Sequence, residues 1–240
     1  MIDPSMERIV PDDMDLRDVF NADTLKLHQE RYQFAIQQLR PGRILDIACG
    51  TGYGSFQMAS AGKLEGSRYT SVDISSAAIA YARKRYAHPS IEFICEDALK
   101  FNDELLFDGI VSLETIEHFR DPGSLVFRLY ELLKPGGILI ASAPVTPSTD
   151  GNPYHFSDFS SAGFRELFTP LHFEETAHLL QVQSYLPYLL GFRKNLRHSR
   201  KKNGLWKFYL NHPGVFYSRI CSLLKEGLNN KYLILALKKP

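Results

Sequence analysis

Apolar and polar positions along the chain fall into short alternating blocks. From about Asp23 to Leu39 the apolar residues Leu27, Tyr32, Phe34, Ile36 and Leu39 recur at helical spacing, and Pro41-Gly42 stops the run. Strands are predicted at 43–48 (RILDIA), 68–73 (RYTSVD), 91–95 (IEFIC), 107–113 (FDGIVSL) and 138–144 (ILIASAP). Helices are predicted at 53–60 (YGSFQMAS), 75–86 (SSAAIAYARKRY) and 122–133 (PGSLVFRLYELL), the last closed by KPGG. Strand–helix alternation of this kind predicts an α/β fold with a doubly wound parallel sheet and helices on both faces. Ligands of such sheets bind beyond the carboxyl ends of the strands.

The pattern changes after Pro144. VTPSTDGNPYH (145–155) reads as a long loop, and DFSSAGFRELF (158–168) as a short helix with Ser157 or Asp158 as its N-cap. Residues 173–185 and 231–240 read as strands, with a mostly helical stretch between them. The first twenty residues form an irregular acidic arm. The expected organisation is a core over 1–180 with an arm at 1–22, an insertion at 181–230 and a final core strand at 231–240.

Composition narrows the picture without deciding it. With 240 residues and 44 % apolar content the chain can bury one full core. A net charge of +1 gives no general case for nucleic-acid or membrane binding. Cys49, Cys95 and Cys221 are too few and too scattered for a disulfide framework or a zinc cluster. They are expected to be reduced, in a cytoplasmic setting. The N-terminus lacks the apolar stretch of a signal peptide, and no apolar run reaches the length of a membrane span.

Candidate chemistry begins at LDIACGTGYG (45–54), where an apolar strand runs into a glycine-rich turn. The dinucleotide fingerprint G-x-G-x-x-G does not fit, because Ser55 holds the third position and Gly54 falls one residue early. Charge argues the same way. Asp46 lies just below the loop, which disfavours a pyrophosphate and favours a cation or an ammonium group. Asp73 ends the second strand 23 residues after Gly50, where an acid commonly grips ribose hydroxyls. Asp97 follows the third strand, positioned to accept from an exocyclic amine. The sequence offers acids for an amino group, a ribose and a base, and no basic residue for phosphate.

LDIACGTGYG, VDIS, EDAL, SLETIEHF and LKPGGILIAS, in this order and spacing, resemble the class I S-adenosylmethionine-dependent methyltransferases over roughly residues 25–180. The resemblance implies a Rossmann-like seven-stranded sheet whose last strand is antiparallel. It also implies that S-adenosylmethionine lies over Ala48, Gly50 and Gly52, with its ribose at Asp73 and Ile74. The adenine would sit beside Asp97 and Ala98, and Glu114 near the methionine end.

Glu114, Glu117 and His118 are spaced i, i+3, i+4, and on a helix they would share one face. Such a set can hold a divalent cation, Mg2+ or Mn2+. NPYHF brings His155 to the same sheet edge. The small-RNA 3′-terminal 2′-O-methyltransferases, which pair E-x-x-E-H with a later histidine to bind a metal, show a similar arrangement. The ubiquinone-pathway O-methyltransferases carry the E-x-x-E-H part. The other reading makes His118 or His155 a general base on an acceptor hydroxyl and the glutamate a helix cap. Either role needs a neutral histidine near pH 7.

From Gln181 to Lys225 there is no Asp or Glu, and basic residues interleave with aromatic ones. This suits a lid over an anionic acceptor or a peripheral contact with an anionic membrane. Overall neutrality argues against a nucleic-acid specialist. The loop after the fifth strand resembles bacterial surface-glycan O-methyltransferases, so a sugar hydroxyl is the expected acceptor. A phenolic or quinone-like acceptor and an RNA 3′ end are the alternatives. A cofactor-binding module that has lost catalysis would be expected to decay at Asp46, Gly50, Gly52 or Asp73, and all four stand.

Overall fold

The computed structural model describes residues 9–184 and 205–240. Seven strands form one sheet: β1 (Arg43–Ile47), β2 (Arg68–Asp73), β3 (Ile91–Cys95), β4 (Phe107–Leu113), β5 (Leu133–Pro144), β6 (Glu174–Ser184) and β7 (Asn229–Lys238). Their order is β3-β2-β1-β4-β5-β7-β6. The first five pair in parallel, and β7 runs antiparallel to both β5 and β6. The α/β, doubly wound architecture with an antiparallel last strand is therefore the one expected.

Strand period two sorts the core into two layers. Leu45, Ile47, Ile110, Leu139 and Leu235 face one way, against α4 (Pro122–Leu132) and α5 (Ser161–Glu166). Ile44, Val111, Ile140 and Ile234 face the other, against Tyr32, Ala35, Ile36 and Leu39 of α1 (Val19–Gln38). Burial on both faces is why the central strands read as continuous apolar runs. The helices start where their caps dictate. Ser75 Oγ accepts from the Ala78 N–H at 3.2 Å to open α3 (Ser76–Arg85), and Asp121 accepts from the Ser124 N–H ahead of α4, with Pro122 at its first position.

Two local expectations change. β5 starts at Leu133, paired with Phe107 across a register shift, because Gly136 at φ 73° lets KPGG form an irregular strand rather than a plain helix stop. The helix expected from Asp158 begins only at Ser161. Its cap is Ser160, whose Oγ accepts from the Gly163 N–H at 3.0 Å. Asp158 instead accepts from the backbone N–H groups of Ser148 at 2.6 Å and Thr149 at 3.0 Å, closing the preceding loop. The chain leaves the sheet after Ser184 and returns at Asn229, and α6 (Leu205–Asn211) and α7 (Pro213–Glu226) lie between. The helical expectation for 185–204 falls outside the described residues. Among the described residues, no helix is long and apolar enough to cross a membrane.

The insertion is anchored to the loop after β5. Arg219 of α7 clamps the buried Asp150 through two guanidinium nitrogens, with Nε at 2.7 Å, and the Tyr209 hydroxyl of α6 donates to the same carboxylate at 2.5 Å. Tyr209 and Phe216 meet edge-on at 5.1 Å, joining the two helices.

Gly54 lies in α2 (Tyr53–Ala59) under the Tyr32 ring, where an added Cβ would stand 1.9 Å from Tyr32 Cζ. Gly54→Ala is therefore expected to cost about 1–3 kcal/mol through overpacking. Urea unfolding measures it, and an unchanged midpoint would contradict this packing.

Candidate active site

The carboxyl ends of β1, β2, β3 and β4 converge on the glycine loop. Ala48, Gly50 and Gly52 all sit at positive φ (59°, 58° and 81°), so the backbone turns sharply out of β1. Ala48 does so with a side chain, a strain typical of ligand-binding turns. Gly52 has a second reason to be glycine. A Cβ there would lie 2.7 Å from the Phe93 ring and 2.8 Å from Ala82 Cβ, so the loop presses against α3 and β3.

Asp73 fastens the loop to the next helix. One carboxylate oxygen accepts from the Gly50 N–H at 2.9 Å and the other from the Ser75 N–H at 2.8 Å. Beside it Ile74 is 56 % exposed, an apolar side chain next to the acid. Asp97 accepts from the Leu99 N–H at 2.9 Å, and Ala98 is half-buried next to it. The acidic arm has a partner as well. The Ile9 carbonyl accepts from Thr51 Oγ1 at 2.7 Å, and Asp12 accepts from Tyr81 Oη and Arg85 Nε.

Asp46 is only 1 % exposed and lies beneath the loop. The Ser55 hydroxyl donates to it at 2.5 Å and the Tyr32 hydroxyl at 3.5 Å. Burial pushes its carboxyl up to about 7, although both hydroxyls favour the charged form. It acts on the loop from below.

Sequence reading missed Arg31. This α1 residue is 1 % exposed, and its Nη1 lies 3.5 Å from Glu114 Oε2 at the end of β4. The guanidinium also donates to Gln181 Oε1 at 2.8 Å, meets His28 Nε2 at 3.2 Å and stacks over Tyr232. His28 is held well below the usual histidine range by burial and by Arg31 itself, so it meets the cation as a neutral ring. Nothing near Arg31 in sequence signals it, because Glu114 and Gln181 are distant along the chain.

Glu114 and Glu117 do not share a helix face. LETIEH forms a turn with a single 3-10 step at Ile116–His118, and Glu114 sits at φ 50°. Its N–H donates to Ser142 Oγ, which in turn donates to Glu114 Oε1 at 2.8 Å. Glu114 is thereby drawn toward Arg31, away from the expected metal set. Glu117, His118 and His155 do come together, with one donor atom of each within 4.8 Å of the others. The two imidazoles meet edge-on with centroids 4.7 Å apart. His118 Nδ1 lies 3.0 Å from the Tyr154 carbonyl, which only accepts, so Nδ1 carries the hydrogen and Nε2 the lone pair of the neutral ring. Ser148 Oγ meets His155 Nδ1 at 2.8 Å.

Residues 45–141 match a methyltransferase-domain family. A probable S-adenosylmethionine-dependent methyltransferase of Mycolicibacterium smegmatis is 28 % identical over 61 % of this chain and 58 % of its own length. A ubiquinone biosynthesis O-methyltransferase of Alkalilimnicola ehrlichii is 38 % identical over 42 % of this chain and 40 % of its own. The chain thus spans about half the length of such curated relatives. The N-methyltransferase NodS of Bradyrhizobium japonicum, solved with S-adenosyl-L-homocysteine, shares the fold at a TM-score of 0.58 and 16 % identity, covering 90 % of this chain and 86 % of its own.

The raised Asp46 carboxyl has a consequence for stability. Unfolded, the group titrates near pH ~3.9, so between about pH 4 and 7 only the folded state holds the extra proton. Stability should fall as pH rises through that window and level off above it. Asp46→Asn is expected to remove this component, on the order of 4 kcal/mol at most. Urea unfolding of both proteins from acid to neutral pH tests it, and parallel profiles would contradict a neutral buried carboxyl.

Proposed function

We propose that this chain, a member of the class I S-adenosylmethionine-dependent methyltransferase family, transfers a methyl group to a hydroxyl of a sugar or polysaccharide. S-adenosylmethionine supplies the activated sulfonium methyl. The residues present fit it. Gly50 sits at φ 58° on the turn after β1, Asp73 would take the ribose and Ile74 would offer an apolar shelf. Asp97 and Ala98 take the adenine. At the other end Arg31 matches a carboxylate, and Glu114 matches an ammonium group.

The oxygen acceptor rests on one observation, the His118–His155 pair, whose rings meet edge-on with centroids 4.7 Å apart. With Nδ1 donating to Tyr154, His118 presents Nε2 as the base that takes the hydroxyl proton while the oxygen attacks the methyl in line. Bound there, S-adenosylmethionine would give up its methyl with the bonding pair staying on sulfur. Holding the acceptor in that line supplies most of the rate, because the donor is already activated. The acid-free insertion, anchored at Asp150 on the loop that carries His155, favours an anionic glycan. Oxygen as the acceptor also agrees with the relatives named as O-methyltransferases.

A second reading of the same cluster is a divalent cation held by Glu117, His118 and His155. Two nitrogens and one oxygen suit Mn2+ or Zn2+ better than Mg2+. Bound there, such an ion would supply Lewis acidity to the acceptor oxygen.

A labelled-methyl assay against glycans and phenols, with and without EDTA, decides among these. Turnover on a glycan is expected, indifferent to EDTA and reduced about 10²–10⁴-fold in His118→Ala. Loss with EDTA and rescue by Mn2+ would favour the cation. Full activity in the His118→Ala/His155→Ala double variant would eliminate the base, and turnover confined to phenols would eliminate the sugar.

A further inference from the structure

We infer that Arg120, stacked on Phe156, is a subsite for an anionic group of the methyl acceptor, a carboxylate or a phosphate. The inference rests on the reading of His118 and His155 as the acceptor side. The turn after β4 and the loop after β5 are zipped together there. The Glu117 carbonyl accepts from the Phe156 N–H at 2.8 Å and the Ser157 N–H at 3.3 Å, and Ser157 Oγ donates to the Phe119 carbonyl at 3.4 Å. His118 reaches Tyr154, and two residues on Arg120 reaches Phe156, its Cζ 4.4 Å from the ring centroid. Phe119 between them is extended (φ −100°, ψ 138°), the conformation that turns residues two apart to the same side. The stacked pair is thus held one step out from the two imidazoles, which meet edge-on.

Charge selects what binds. The acids of these two segments are engaged elsewhere. Glu114 pairs with Arg31, and Glu117 is buried beside the histidines. Asp121 follows Arg120 but caps α4, taking both the N–H and the hydroxyl of Ser124. Asp150 holds Arg219 and Tyr209, and Asp158 holds the Ser148 and Thr149 N–H groups. Among the described residues no Asp or Glu pairs with Arg120, whose side chain is exposed. Stacking uses the face of the guanidinium and leaves its N–H groups, which lie in the plane, for a ligand. The ring also fixes the orientation of the fork, so less freedom is lost when it grips a carboxylate or phosphate through two hydrogen bonds. Phe156 is itself 47 % exposed, so the pair presents an apolar face and a cation side by side. That combination suits the C–H face and the acid group of an acidic sugar.

The test is a titration of the full chain, saturated with S-adenosylhomocysteine, with glucuronate, inorganic phosphate and glucose, read by NMR from the histidine ring signals. At least one anion is expected to shift the His118 and His155 signals at a concentration about tenfold lower than glucose, and which one does so separates a carboxylate from a phosphate. Arg120→Gln should weaken that binding at least about tenfold and leave the affinity for S-adenosylhomocysteine unchanged. Arg120→Lys should recover part of the loss, because it keeps the charge without the fork. No anion binding, no preference for an anion over glucose, or equal anion binding by wild type and Arg120→Gln would overturn the inference. Arg120-dependent anion binding without methyl transfer to any glycan would support the subsite while contradicting the proposed reaction.

Discussion

The Asp73 carboxylate is the joint on which the site depends. Its two oxygens hold the Gly50 N–H from one side and the Ser75 N–H from the other. The turn after β1 and the start of α3 are thereby fixed to each other across the end of β2. Ser75 caps α3, and α3 presents Ala82 against Gly52, which keeps the turn pressed down. An alternation of strands and helices delivers all these groups to one edge, because parallel strands end on the same side. The carboxylate turns that proximity into a cradle of fixed shape.

Charge is arranged in depth around this cradle. Asp46 lies below it, buried and raised to about 7, with Ser55 and Tyr32 as partners. Arg31 and Glu114 lie at its far end, and a neutral His28 shares the cation. On the proposed function, a ligand with a cation, a carboxylate and a ribose would meet each complement in turn. His155 lies on a loop whose other end is held by α6 and α7, and His118 meets its ring from the turn after β4. On the proposed function, the core would handle the donor and the insertion would govern what reaches it.

Much of this was legible in the sequence. The apolar runs of the central strands, the glycine turn, Asp73 and the final strand are local patterns whose physics does not depend on distant partners. Glu114 was misread because the i, i+3, i+4 relation presumes a helix. The chain instead makes a turn at positive φ, which sends Glu114 to Ser142 and Arg31 and leaves Glu117 with the histidines. Arg31 was invisible because it lies in an amphipathic helix whose spacing speaks only of a core face. Asp158 resembled a cap by type, yet its nearest unmet N–H groups belonged to the loop before it. For Arg31 the cause is partners far apart in sequence, and for Asp158 a competing loop nine to ten residues upstream.

The most direct test of the account is calorimetric titration of S-adenosylhomocysteine into the wild-type chain and into Asp73→Ala. One site per chain is expected for the wild type, with affinity at least about tenfold weaker in the variant, since the ribose partner and the loop joint are lost together. Equal affinity in the two proteins, or no binding to the wild type, would contradict the assignment of this cradle to the cofactor.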